Sequence, residues 1–369
     1  MANPSLTDSS EKHPERLTDA SSLVRPVAVI DVGSTSVRMA IAEIDGAGSI
    51  RRLETLSREV NLGRDTFTVG GIRRATTEGC VAVLRSYRQL LEEYGISGTD
   101  QIRVVATSAV REAENRLSFL DRVYVATGFE IEAIDEAEVN RMTYLGIQPL
   151  LEQHPTLATA QSIVTEVGGG STEVLLVQAG DVIFSNTYRL GSQRLRETLE
   201  ADRTPQPKVT EIMRGQVRRI MEQVAREVPG QQQPEVIVLG SDVRFAASQL
   251  ASDWDRSGVV SLNLEQLETF SESILEQSVN DLVRNFHLSF PDAGTVGPAL
   301  LTIVELARTF QRDHLYICNV NLRDGLLREL AADDTWSDEF ARQVFRSAID
   351  LGRRCEFDEA HARHVAELS

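Results

Sequence analysis

The sequence predicts an α/β protein built from a duplicated unit, with two similar domains facing each other across a cleft. Three observations lead there. Strand-like apolar runs alternate with helical periodicity over most of the 369 residues. The segment DVGSTSVRMAI, from Asp31, returns as EVGGGSTEVLL, from Glu166. Each copy puts a carboxylate at the end of an apolar strand, then a Gly-Ser/Thr turn and a second strand. The copies stand about 135 residues apart, which suits a domain.

Taken in order, the first 25 residues are polar and lack the apolar core of a secretory signal, so they read as a disordered leader. Val27 to Ile44 reads as strand, tight Gly-Ser turn, strand. Gly71 to Tyr94 is helical in pattern, with Ile72, Val81, Val83, Leu84, Leu90 and Leu91 as its apolar positions. IRVVATSAV, from Ile102, is strand-like, and FEIEAIDEAEVNRMTYLGI is a short strand followed by a helix. The central SIVTEVGGGSTEVLLVQAGDVIFSNTY repeats the opening. Two long helical patterns follow, around Val209 to Val228 and Leu264 to Phe286, with the strand-like EVIVLGSDVRFAAS between them. HLSFPDAGTVGPALLTIVELARTF ends in a helix, and LYICNVNLRDGLLREL is a strand leading into a helix. The expected division is a leader over 1–25, a first domain over 26–145, and a second over 146–305. A helix and strand over 306–330 return to the shared core, and 336–369 opens a helical unit that is cut short.

The charge balance of 38 basic and 55 acidic residues gives −17, which disfavours nucleic acid or an anionic membrane as partner. No run of about 18 apolar residues exists to span a membrane. Cys80, Cys318 and Cys355 are far apart and form no metal ribbon or disulfide framework, so a reducing, cytoplasmic setting is expected. There is no P-loop motif, no dinucleotide-binding G-x-G-x-x-G and no nucleophile elbow. His361 and His364 share a helical face near the C-terminus and read as solvated.

The remaining candidates concentrate in the two turns. Asp31, Gly33, Ser34, Thr35, Ser36 and Arg38 fall within eight positions. Glycine lets a phosphate approach backbone N–H groups, hydroxyls add donors, and a strand-end carboxylate can hold Mg²⁺ directly or through water. A plain hairpin turn would carry the same residues. Glu166, Gly168, Gly169, Gly170, Ser171, Thr172 and Glu173 make the second turn; its three glycines cost backbone entropy that close approach to an anion would justify. Thr107 to Arg111 contributes a guanidinium fork suited to phosphate oxygens, or simply a surface arginine at a helix start.

In this order, IDVGSTSVRMAI, ATSAVREAEN, EVGGGSTEVLLV, YRLGSQRL and NLRDGLL resemble the Ppx/GppA family of exopolyphosphatases and guanosine pentaphosphate phosphohydrolases. REVNLGRD, from Arg58, is similar to that family's V-x-L-G segment, and the resemblance runs from about Val27 to Leu330. It implies the duplicated actin-like fold of sugar kinases and Hsp70-like ATPases. The C-terminal segment would then be the truncated start of the helical domain of longer members. It implies hydrolysis of a terminal phosphoanhydride bond of polyphosphate or guanosine pentaphosphate with Mg²⁺, and a homodimer by family precedent. Carried over by motif, Gly33, Ser34, Thr35, Ser36 and Arg38 line one phosphate loop; Gly168, Gly169, Gly170, Ser171 and Thr172 line the other. Arg111 binds phosphate. Asp31, Glu166 and Glu173 are the catalytic and metal-holding carboxylates, with Glu173 positioning the metal or the attacking water.

Three positions depart from the family pattern. Glu166 stands where the family usually has Asp, one methylene shorter. In AIDEAEVNRMTYLG the family's catalytic glutamate falls on Val139, which takes no proton, and Glu138 would point about 100° away on a helix. The family's Gly-Thr-Gly-Gly-Thr-like loop matches Gly240, Ser241 and Asp242, with a glycine lost and a negative charge gained. Losing a general base costs a factor of about 10² to 10⁴, although Glu136 or Glu138 could substitute. A working hydrolase and a catalytically impaired relative that binds polyphosphate or nucleotide and acts through partners are therefore the two functional expectations. A kinase of the same superfamily fits less well, since no adenosine-pocket motif is found.

Overall fold

The computed structural model describes residues 24–201, 206–230, 233–256, 258–332, 348–349, 352 and 357–368. The leader expected over 1–25 falls outside these except for Val24 and Arg25, as does most of 336–369.

The first lobe is a five-stranded sheet. β1 (Arg25–Val32), β2 (Ser36–Ile44) and β3 (Ile50–Glu59) form an antiparallel meander. β4 (Ile102–Ala106) and β5 (Glu132–Ala133) then add in parallel on the other side of β1, giving the order β3-β2-β1-β4-β5. Helices α1 (Leu62–Val69), α2 (Arg74–Glu93), the short α3 (Ser108–Arg111) and α4 (Arg116–Thr127) make the crossovers. The predicted helix at Gly71 to Tyr94 is α2, and it buries Cys80, Val81, Leu84, Tyr87 and Leu91.

The second lobe repeats this plan. β6 (Gln161–Val167), β7 (Thr172–Gln178) and β8 (Asp181–Tyr188) form the meander. β9 (Glu235–Leu239) and β11 (His314–Ile317) extend it in parallel, and β10 (Val260–Asn263) closes the edge, in the order β10-β11-β9-β6-β7-β8. Its helices are α6 (Ser192–Ala201), α7 (Gln206–Glu227), α8 (Ser241–Leu250), α9 (Leu264–Leu275), α10 (Val279–Phe286) and α11 (Phe290–Thr309).

Two readings are corrected here. The run EVIVLGSDVRFAAS is a strand only to Leu239; from Ser241 it is helix, with Val243, Ala246 and Ala247 buried at helical spacing. Gly240, at φ 112°, makes the sharp change of direction. The pattern from Leu264 to Phe286 is two helices, because Ser278 caps a new one by accepting a hydrogen bond from the Asp281 N–H.

The lobes are joined by α5 (Glu136–Gln153) and α12 (Leu322–Ala331), which follow β5 and β11. Residues 145 and 146, the expected domain boundary, both lie inside α5, and α12 packs on sheet one although β11 belongs to sheet two. α5 gives Met142 to the core against sheet one and Tyr144, Ile147 and Leu151 to the core against sheet two. The two helices touch backbone to backbone: a Cβ on Gly325 would fall 1.9 Å from the Met142 carbonyl oxygen. One further helix, α13 (Glu359–Leu368), carries His361 and His364, both exposed.

Candidate active site

The two glycine turns are built alike. In the first, Asp31 at the end of β1 pairs across the hairpin with Arg38; in the second, Glu166 pairs with Glu173. Gly33 N–H donates to Ser36 O at 3.0 Å, and Gly168 N–H donates to Ser171 O at 2.8 Å. The turns belong to different lobes and meet tip to tip. A Cβ on Gly169 would lie 2.9 Å from Ser34 Cβ, and one on Gly170 would lie 2.3 Å from Ser108 Oγ. The extra glycines of the second turn are what let the lobes come this close.

Around that contact a cleft of about 110 Å³ is lined by Asp31, Gly33, Ser34, Thr35, Arg38, Ser108 and Arg111 from the first lobe. The second lobe adds Glu166, Gly168 to Ser171, Glu173, Ser241 and Asp242, and α5 adds Val139. Most residues of the sequence reading are therefore brought together. Two are not among the lining residues. Thr172 turns to the opposite face of β7, as strand alternation requires, and its hydroxyl donates to Leu190 O. Ser36 is buried at the start of β2, its Oγ without a hydrogen-bond partner among the described residues.

The carboxylates differ in surroundings. Asp31 is 5% exposed; its Oδ2 accepts from Arg323 Nη1 at 3.5 Å and lies 4.0 Å from Arg38 Nη1. Its Oδ1 is buried with no hydrogen-bond partner among the described residues. Glu173 is also buried, and Ser171 Oγ donates to its Oε1 at 2.6 Å. Burial pushes the Glu173 carboxyl up to about 7, the negative Glu166 adds to this, and the Ser171 hydrogen bond pulls the other way. Burial also raises Glu166, against the pull of Arg244 and Arg38. Asp242 is pushed up to about 7, first by burial and then by Asp292.

Val139, on α5, does face the cleft. Glu138 does not replace it: its carboxylate is held by Arg141 at 2.7 and 2.8 Å, with Arg103 at 3.7 Å. Glu136 is half-exposed, 3.6 Å from the Arg111 guanidinium. Among the described residues no three His, Cys, Asp or Glu gather closely enough to hold a metal ion by themselves. Asp31, Glu166 and Glu173 are thus not a closed cage. Mg²⁺ does not need one, since it keeps several waters and takes one or two carboxylates plus substrate phosphates. The unpartnered Asp31 Oδ1 fits that mode of binding.

Sequence reading missed two cations at this site. Arg323, from NLRDGLL, reaches Asp31 from α12. Arg244 is the second lobe's counterpart of Arg111. Both close an S-x-V-R sequence at a helix start after a parallel strand, SAVR on α3 and SDVR on α8. Arg111 Nη1 donates to Ile134 O at 3.0 Å, just before the N-cap of α5; Arg244 Nη1 donates to Val320 O at 3.4 Å, just before the N-cap of α12. The repeated S-x-V-R was the available signal.

Two lobes of one topology, closing glycine turns and arginines around a small carboxylate-lined cleft, define a protein of the duplicated actin-like fold. The chain belongs to the Ppx/GppA phosphatase family, whose model matches residues 40–333. It is 26% identical over 323 residues to Exopolyphosphatase 2 of Mycobacterium tuberculosis, covering 83% of this chain and 98% of that protein. A crystal structure of the Aquifex aeolicus family member superposes with a TM-score of 0.68 at 23% identity, over 85% of this chain and 100% of that one. An exopolyphosphatase from Cytophaga hutchinsonii superposes at 0.73 with 18% identity, over 83% and 98%. Among the described residues no helix is long and apolar enough to cross a membrane.

Proposed function

We propose that the cleft hydrolyses the terminal phosphoanhydride bond of inorganic polyphosphate or of guanosine pentaphosphate, with Mg²⁺. The observation that carries this is the meeting of the two glycine turns, with Arg38, Arg111 and a buried Glu173 around one small space. Phosphoryl transfer needs positioning and charge neutralisation more than covalent help.

The turn N–H groups and the Ser34 and Thr35 hydroxyls orient the terminal phosphate, and Arg111 and Arg38 balance its charge. Glu173 is the general base. With Val139 inert and Glu138 held in ion pairs, two cleft-lining carboxylates have proton affinities near neutrality, Glu173 and Asp242, and Glu173 is the one on the hairpin of the glycine turn. Its Oε2 takes a proton from a water attacking the terminal phosphorus. The bond to the bridging oxygen breaks, and the electron pair leaves with the shortened chain. Asp31 and Glu166 would hold Mg²⁺, which when bound neutralises the developing charge on the phosphate oxygens.

A second reading, a binding relative with impaired turnover, is favoured by Val139, Glu166 and Asp242. Mg²⁺-dependent phosphate release from both substrates, with binding measured in parallel, decides between them. Turnover abolished by EDTA and by Asp31→Asn supports hydrolysis; binding without turnover supports the second reading. The same chemistry suits a soluble cytoplasmic protein, and sedimentation tests the expected homodimer.

A further inference from the structure

A larger recess, of about 500 Å³, shares no lining residue with the cleft. The two hinge helices serve both. α5 gives Val139 to the cleft and, about three turns further on, Leu150 to the recess; α12 gives Leu322 to the cleft and Leu327 to the recess. β3 of the first lobe adds Ile50 and Arg52, and the approach to β10 of the second lobe adds Gly258 and Val259. The volume is that of a small-molecule site. We propose that this recess binds a small molecule with an apolar body and a single anionic head, such as an organic monocarboxylate. The site is separate from the phosphate chemistry of the cleft and does not depend on it.

The walls supply the apolar half of that description. Ile50, Leu150, Val259 and Leu327 line the recess from four different elements, and such a surface has no use for an inorganic polyanion. The charged half comes from Arg52 and Arg328, against one acid, Asp324. Both oxygens of Asp324 are committed within the protein: Oδ1 accepts from Arg52, and Oδ2 accepts from the Asn321 N–H at 2.9 Å. It therefore has little to offer a cationic ligand. Arg328 is exposed, and its guanidinium makes no hydrogen bond or ion pair among the described residues. The adjacent Glu329 is already held by Arg103 and Arg141. One positive charge is thus left over beside an apolar space, in a chain of net charge −17. A planar guanidinium fork suits a carboxylate or sulfonate, and the charge left over matches one such group.

The test titrates the full chain with anilinonaphthalene sulfonate, an apolar body with one anionic head, and with its uncharged parent phenylnaphthylamine, both read by fluorescence. Wild type is expected to bind the sulfonate saturably, at one per chain and about tenfold more tightly than the parent, as a charge-assisted hydrogen bond provides. Arg328→Gln, at an exposed position, is expected to remove that tenfold while changing affinity for the parent less than twofold. Gly258→Phe is expected to abolish binding of both by filling the recess, since a Cβ on Gly258 meets nothing within 4 Å. Circular dichroism and thermal unfolding check that both variants fold. Wild type without saturable binding, or sulfonate binding unchanged in folded Gly258→Phe, overturns the site. Equal affinity of wild type for the two probes, or equal losses for both in Arg328→Gln, overturns the anionic head.

Discussion

The two hairpins that face each other share one skeleton and differ in charge at the cross-strand pair beside the turn. Asp31 sits opposite Arg38, and Glu166 opposite Glu173, each pair seven residues apart and joined through the same glycine-to-serine turn hydrogen bond. In the first lobe the pair is of opposite sign and sits beside Arg323, with Asp31 tied to a cation. In the second lobe the pair is of like sign and buried, so each carboxylate resists ionisation and Glu173 settles near neutral pH. In the proposed reaction, one fold used twice would supply an anion-accepting wall on one side and a proton-accepting wall on the other. The duplicated scaffold sets where charges go; in the proposed reaction a single position in each copy, Arg38 or Glu173, sets what they do.

The strongest way to break this comparison is to remove the differing pair one side at a time. Glu173→Gln is expected to lower kcat by about 10² to 10⁴ while changing substrate affinity little. Arg38→Gln is expected to raise KM about tenfold and to spare kcat, as loss of binding made equally in ground and transition states does. Phosphate-release kinetics on both variants check this. If Glu173→Gln keeps wild-type kcat, Glu173 is not the base and the contrast between lobes loses its chemistry.

The shared skeleton can be tested apart from the differing pair. A methyl on Gly170 meets Ser108 Oγ at 2.3 Å and the Phe67 ring at 2.6 Å, whereas on Gly33 its nearest neighbour is Ser36 O at 3.2 Å. Gly170→Ala is expected to cost about 1–3 kcal/mol of stability and to push the lobes apart; Gly33→Ala should cost less. Thermal unfolding midpoints measure the difference, and equal losses would mean that the tips do not meet as described.

Ser171 gives a finer probe, through pH. Its hydroxyl lowers the Glu173 pKa, which burial has raised to about 7. Glu173 acts as base only when ionised, so kcat should rise with pH through about 7. Ser171→Ala removes a stabilising donor to the carboxylate, so that limb should move to higher pH. The same shift has a linkage consequence. An acid whose folded pKa is raised favours the folded state while protonated. This contribution is present below 4.5 and fades as pH rises towards 7. Glu173→Gln should accordingly be more stable than wild type at pH 8 and no more stable at pH 4. A pH–rate limb unmoved by Ser171→Ala would assign the ionisation to another group.

Much of this was legible in the chain itself, because the duplicated hairpin writes a carboxylate, glycines and hydroxyls at fixed spacing. The fold class and both turns follow from that local pattern, and Arg111 is carried over by the family resemblance. What was not legible depends on chain segments far apart in sequence. Arg323 reaches Asp31 across 292 residues, and only the crossing of α5 and α12 brings it there. Thr172 was assigned to the cleft by its place in the motif, yet strand alternation turns it away, because β7 begins at that residue. The helix after Gly240 was hidden by the apolar strand before it, which gave the whole segment a strand-like look. The Glu173 pKa was beyond reach for the same reason: burial is a property of the closed lobes, not of the motif.

The smallest expected effect belongs to the position that looked most damaging in the sequence. Val139 lines the cleft on α5, partly buried and packed beside the core against sheet one. Val139→Glu would add a further carboxylate to a space already enclosing Asp31, Glu166, Glu173 and Asp242. Like charges raise one another's proton affinity, so the new group would be held largely protonated near neutral pH and would push Glu173 higher still. If Glu173 is the base, as proposed, kcat at pH 7 should change less than threefold, and any gain should emerge only above pH 8. Single-turnover phosphate release across pH 6 to 9 measures this. A gain of a hundredfold or more at pH 7 would instead show that the wild-type cleft lacks a working base, and that the charge asymmetry between the two hairpins serves binding alone.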